Sequence, residues 1–234
     1  MSEDILNKED LFKMLDSLLR EPASFWDGFY KDRTKDIPFF HNVPDENLVS
    51  YFEKGLLTPG KVLELGCGPG RNALYLADKG CNVEAADVSE EALEWAKERA
   101  RKEQKNIHFI HKNIFELDLI YESYDLIYDS GCFHHLAPHR RLTYVDLLNK
   151  WLKPGGHFGL VCFSPGGDFG GSELSDWEVY RSRSLMGGMG YTEEKLMKIF
   201  NGFTLVEIRK MKVMEENERC FGLPGFQTTL FRKA

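Results

Sequence analysis

Val62-Leu63-Glu64-Leu65-Gly66-Cys67-Gly68-Pro69-Gly70-Arg71-Asn72 decides the fold, because an apolar strand runs directly into a glycine-rich turn that opens a helix. Glycine at alternate positions admits dihedrals closed to other residues and removes side chains that would hold a ligand away from the backbone. Asp87 follows the apolar run of the next strand, where a carboxylate is placed to accept hydrogen bonds from the two hydroxyls of a ribose. A dinucleotide site shares this architecture, but its fingerprint is GxGxxG, and Arg71 stands where the third glycine would fall. The spacing here is GxGxG.

Outward from that turn, strand-like runs at Val62 to Leu65, Asn82 to Ala86, Ile107 to His111, Leu126 to Tyr128 and Phe158 to Phe163 alternate with helical patterns. The helices are expected at Arg71 to Lys79, Ser89 to Lys105 and Arg140 to Trp151, with Ser89 as a cap and Glu91 and Glu94 early in the second. Such alternation implies a parallel sheet covered on both faces, a doubly wound α/β fold. Gly and Pro clusters at Thr58 to Gly60, Lys153 to Gly156 and Ser164 to Gly171 mark loops. Towards the end come a helix at Thr192 to Phe200 and strands at Phe203 to Ile208 and Gln227 to Phe231, separated by a charged, hairpin-like segment. Before the sheet, Lys8 to Arg20 carries Leu11, Phe12, Leu15, Leu18 and Leu19 at helical spacing, and Phe25, Trp26, Phe29 and Tyr30 follow.

The 234 residues, 42% of them hydrophobic, support one sizeable core. Residues 1–57 are therefore expected to form a helical, aromatic cap on the same domain as residues 58–234. The net charge of -7 arises from interspersed acids and bases, which disfavours nucleic-acid and anionic-membrane partners. Five scattered cysteines without a CxxC pair point to a reducing cytoplasm. The opening MSEDILNKEDLF has no basic start followed by an apolar core, and no apolar run reaches the roughly 18 residues of a membrane span, so neither secretion nor membrane insertion is expected.

With Glu64 two residues ahead of Gly66, the stretch resembles the E/DxGxGxG signature of class I S-adenosylmethionine-dependent methyltransferases, over residues 60–165. The resemblance implies a Rossmann-like, mostly parallel seven-stranded sheet with a final antiparallel strand, S-adenosyl-L-methionine as cofactor and a methyl acceptor as partner. On it, Glu64, Gly66, Cys67, Gly68, Gly70, Arg71 and Asn72 surround the amino-acid portion of the donor, and Asp87 and Val88 hold its ribose and adenine edge. The family often has an acidic residue after the third strand, where this chain has Asn113-Ile114; the Asn113 carbonyl can accept from the adenine amine, or the segment is a surface turn.

Tyr128-Asp129-Ser130-Gly131-Cys132-Phe133-His134-His135-Leu136 leaves the fourth strand at the carboxyl edge, where open α/β sheets bind ligands, so Asp129 is expected beside the donor and Phe133 and His134 beside the acceptor. Together with Trp26, Pro138-x-x-Arg141-x-x-Tyr144 and the later Gly-rich loop, it resembles, more loosely, the thiopurine, halide/thiol and tellurite-resistance methyltransferases. Those enzymes act on soft nucleophiles, which makes a small thiol, halide or chalcogen acceptor the expectation here. A nitrogen or oxygen acceptor, including one on a macromolecule, and a non-catalytic donor-binding module are the alternatives; the NPPY-like motif of many amino-group methyltransferases is missing. His134 or His135 can serve as general base for a harder acceptor, or pack and bond the backbone. Their adjacency, with His139 nearby, does not make a metal site, because neighbouring loop side chains rarely converge. Trp26 is expected at the methionine end of the donor, and Phe40 and Arg181 against the acceptor, Arg181 with Arg183 beside the Gly187-Gly188-x-Gly190 segment.

Overall fold

Alternation within β1 (Lys61–Leu65) sorts the whole molecule into layers. Leu63 and Leu65 point into one core and Val62 into another on the opposite face of the sheet. The computed structural model describes residues 4–215 and 219–234. Its sheet contains β1, β2 (Asn82–Asp87), β3 (His108–His111), β4 (Tyr124–Ser130), β5 (Leu152–Phe163), β6 (Thr204–Lys210) and β7 (Phe226–Arg232), in the order β3-β2-β1-β4-β5-β7-β6. The first five strands pair in parallel, and β7 runs antiparallel between β5 and β6. This is the expected mostly parallel sheet with a reversed final strand.

On the Leu63 face lie α6 (Arg140–Trp151), α7 (Asp176–Ser182) and α8 (Glu193–Ile199), which bury Tyr144, Leu148, Trp151, Val179 and Leu196 with Phe158 and Leu160 of β5. The Val62 face is covered by α3 (Glu46–Glu53), α4 (Arg71–Asp78) and α5 (Glu90–Lys102), through Leu48, Tyr51, Ala73, Leu76 and Leu93. A third cluster joins α2 (Pro22–Tyr30) to α5, where Tyr30, Phe40 and Ala92 pack with Trp26, Phe29 and Trp95. Removing such side chains from water contributes about 1.5–3 kcal/mol for each large apolar residue.

Several elements depart from the sequence expectation. The first helix, α1 (Lys8–Asp16), stops four residues before Arg20: Ser17 caps it, and Pro22 opens α2. The helix α3 carries little local signal, since Asp45 at its start makes no side-chain cap and is held by distant partners. By contrast, α7 announces itself in a Ser175–Glu178 capping box that the surrounding glycines obscure. The strand β5 begins at Leu152 and runs through an irregular Lys153-Pro154-Gly155-Gly156 stretch before regular pairing resumes at His157. Part of the charged segment between β6 and β7 lies outside the described residues. Among the described residues no helix is long and apolar enough to cross a membrane.

Candidate active site

The turn after β1 is strained in the manner its glycines permit: Gly66, Gly68 and Gly70 have φ of +64°, +52° and +78°. It is also crowded from both sides. A Cβ on Gly66 would lie 2.6 Å from the Cys132 Cβ, and one on Gly68 2.9 Å from the Tyr30 hydroxyl. The loop after β4 and the aromatic helix α2 thus converge on this turn. Asp87, at the end of β2, accepts from the Gly68 amide at 2.8 Å through Oδ2 and from the Ser89 amide at 2.8 Å through Oδ1. Burial pushes its carboxyl up, against the pull of these amides. Each oxygen keeps a second lone pair for a further donor.

Glu64 is fully enclosed, its Oε2 has no hydrogen-bond partner among the described residues, and burial raises its carboxyl to about 8 despite Arg71 nearby. A carboxyl whose folded pKa lies above its unfolded value contributes stability below about 4.5 that is lost as pH rises through about 8. Glu64→Gln, which cannot ionise, is therefore expected to flatten the fall in melting temperature of the unliganded protein between pH 5 and 8. Parallel wild-type and variant melting curves across that range would refute this.

Arg71 and Asn72, expected at the donor, turn instead towards Asp45. The Arg71 guanidinium lies 2.6 Å from Asp45 Oδ1, donates to the Val43 carbonyl and Ser130 hydroxyl, and sits over the Phe221 ring. Asn72 donates to Asp45 Oδ2 at 3.0 Å and accepts from the Asp45 amide, while the Tyr128 hydroxyl donates to the same Oδ2 at 2.8 Å. This buried network fixes α3 beneath the glycine turn. Their opening position on α4 sends both side chains to the sheet side, since a helix starting at a strand end covers the sheet.

Asp129 is likewise committed within its own loop. Its Oδ1 accepts from the Cys132 amide at 2.9 Å and the Phe133 amide at 3.2 Å, and Oδ2 accepts from the Tyr144 hydroxyl at 2.6 Å. Burial raises this carboxyl to about 7. The carboxylate therefore shapes the loop after β4. Phe133, expected at the acceptor, is fully buried among Tyr144, Tyr191 and Phe200, because the loop's short helical turn points it inward. Phe40 packs with Phe29, Tyr30 and Trp95 under the cap, and its carbonyl takes a bond from Arg99. Arg181 is exposed in the last turn of α7.

The two adjacent histidines separate in role. The ring of His134 is buried against Phe163, with centroids 3.8 Å apart, and its Nδ1 accepts from the Phe163 amide at 3.3 Å, which leaves the proton on Nε2. Burial holds it far below the usual histidine range. His135 meets the edge of Trp26, with centroids 4.9 Å apart, and its Nδ1 is buried without a partner among the described residues. Burial, with Arg20 nearby, pushes His135 down to about 3. His139 points elsewhere: Nε2 to Asp16 at 2.9 Å and Nδ1 to the Tyr180 hydroxyl at 2.7 Å, tying α1 to α6 and α7.

After β3, Asn113 accepts from the Phe115 amide as the cap of a short helical turn, and Ile114 is buried in the Leu63-face core. Val88 is half-buried, with its carbonyl 3.1 Å from His111 Nε2. The structure thus brings Glu64, the three glycines, Cys67, Asp87, Trp26 and His135 towards one another. It adds Tyr30, whose hydroxyl meets the glycine turn, and Cys132; an aromatic run on a helix gives no warning of which ring will reach a loop far along the chain. An unpartnered Glu64 oxygen and the open lone pairs of Asp87, beside a turn whose glycines carry no side chains, suit a ligand with a cationic amino-acid end and a ribose.

Residues 62–156 match a family described as a methyltransferase domain. An uncharacterized methyltransferase of Schizosaccharomyces pombe is 37% identical over 124 residues, which span 53% of this chain and 83% of that protein. A probable S-adenosyl-L-methionine-dependent methyltransferase, TehB, of Haemophilus influenzae is 30% identical over 169 residues, 66% of this chain and 59% of that protein. Among solved structures, one described as "Conversion of a Disulfide Bond into a Thioacetal Group during Echinomycin Biosynthesis" superposes with a TM-score of 0.68 at 22% identity, covering 91% of this chain and 92% of that one. The strand order, the glycine turn with its acidic partners and these relatives have one meaning: the chain belongs to the class I S-adenosylmethionine-dependent methyltransferases.

Proposed function

We propose that this enzyme methylates a small molecule through a soft nucleophilic atom, a thiol, halide or chalcogen oxyanion. The observation that carries the reading is the packing of His135 against Trp26 with its Nδ1 buried and without a partner among the described residues, an environment in which burial, with Arg20 nearby, pushes the imidazole down to about 3. A group so weakly basic removes a proton from an amine or alcohol poorly, whereas a thiolate or halide needs none removed. His134 is no better placed, with Nδ1 engaged by the Phe163 amide.

S-adenosylmethionine supplies an electrophilic methyl on a sulfonium. The chain's own residues do the rest by position and enclosure. Gly66, Gly68 and Gly70 hold the amino-acid portion against the backbone, with Glu64 beneath it and Asp87 on the ribose; Asn113 and Val88 border the adenine. Trp26 and Tyr30 close the site with aromatic faces that favour a nearby cation and exclude water. Residues 1–57 serve as a cap on the catalytic unit, and the scattered cysteines suit a cytoplasmic setting.

The purified enzyme should produce S-adenosylhomocysteine with thiols, halides or chalcogen oxyanions in preference to amines and alcohols. For a thiol, kcat/KM is expected to follow the acceptor's own ionisation, with no limb in the ordinary histidine range. A limb there that disappears in His135→Gln, or turnover confined to amines and alcohols, would overturn the proposal.

A further inference from the structure

The cap carries a cation that the donor site does not use. Arg20 lies in the turn between α1 and α2, its guanidinium carbon 3.2 Å from the centre of the Phe25 ring. Phe25 meets Trp26 edge-on at 5.1 Å, and Trp26 meets His135 at 4.9 Å. The row therefore runs from Arg20 through two aromatic rings to a buried imidazole nitrogen with no partner among the described residues.

The acidic residues nearest to Arg20 in the chain are engaged elsewhere. Glu21 caps α2 through the Ala23 and Ser24 amides, at 2.9 and 2.8 Å. Asp27 accepts from the Ser89 hydroxyl, at 2.7 Å, and from the Glu91 amide. Asp16 is held by His139 and Arg140. No carboxylate among the described residues lies within ion-pair distance of Arg20. Arg20 is exposed, and a guanidinium stacked on a ring with no carboxylate partner among the described residues is suited to take an oxyanion in a bidentate fashion.

Resting on the small-molecule reading above, we infer that the acceptor is anionic: Arg20 takes its carboxylate or equivalent oxyanion, while the unpartnered Nδ1 of His135 hydrogen-bonds at its reacting end. Arg20 is then a specificity-determining residue supplied by the cap. Its influence on the imidazole, whose protonation it opposes, accords with that placement.

Two matched probes test this, 4-mercaptobenzoate and 4-methylbenzenethiol, which share a ring and a thiol and differ in the carboxylate. Calorimetric binding to the enzyme saturated with S-adenosylhomocysteine involves no turnover. The wild type is expected to bind the carboxylate probe about tenfold more tightly, equivalent to about 1.4 kcal/mol. Arg20→Gln should erase that preference, bringing the affinity for the carboxylate probe down to that for the neutral one, with melting curves to verify folding, and Arg20→Lys should restore part of it. Equal binding of the two probes, no binding of either, or a preference that survives Arg20→Gln would overturn the inference. Methyl transfer to the same probes separates the two proposals: an Arg20-dependent preference without thiol turnover leaves the anionic acceptor standing and removes the soft-atom reading.

Discussion

Asp87→Ala is expected to weaken S-adenosylmethionine binding by on the order of a hundredfold. Hydrogen bonds to a charged group contribute about 1.5–3 kcal/mol each, so losing two proposed ribose contacts amounts to at least about 3 kcal/mol. The same change releases the Gly68 and Ser89 amides, which the carboxylate holds at 2.8 Å, and so loosens the turn that receives the amino-acid portion. Asp87→Asn keeps one oxygen acceptor and should fall between wild type and alanine. Calorimetric titration with S-adenosylmethionine, alongside melting curves to verify folding, provides the test. Unchanged affinity in a folded Asp87→Ala protein would remove Asp87 from the donor site.

The other large effect is on stability. Asp45 is completely buried and satisfies Arg71, Asn72 and Tyr128 together, so Asp45→Ala strands a guanidinium that is itself only 7% exposed. Breaking one side of a buried ion pair costs about 3–5 kcal/mol, which for a chain of this size lowers the melting temperature by about 10 °C. Removing both charges, as Asp45→Leu with Arg71→Met, should cost much less than the two single changes added together, because no buried charge is left alone. Calorimetric melting of the four proteins gives the coupling directly. Additive losses would mean that the two side chains stabilise α3 independently.

These predictions fall on opposite sides of what could be read from the chain. Glu64, the three glycines and Asp87 were all legible as a candidate donor site, because a strand running into a glycine-rich turn leaves its mark within a few residues, and the structure gathers them at one turn. Arg71 and Asn72 belong to the same quoted stretch, yet their partner Asp45 lies 27 residues before Asn72. Phe133 and His134 were legible only as a loop; its short helical turn decides that Phe133 faces the core and His134 faces Phe163. Arg20 could be seen only as the end of an amphipathic run, and Arg181, beside the Gly187-Gly188-x-Gly190 segment, drew the expectation of an acceptor contact instead.

By itself the sequence determined the layered α/β fold, the reversed last strand through its resemblance, and the glycine-rich turn after β1. Each depends on hydrophobic period or on backbone dihedrals, which neighbouring residues fix locally. The tertiary structure alone decided that Arg71 and Asn72 brace α3, that Asp129 shapes its loop, that Tyr30 reaches Gly68, and that Trp26 meets His135. Those outcomes depend on where an unpaired charge or ring finds a partner once the layers have packed, and burial makes that pairing obligatory without recording it in the spacing of residues.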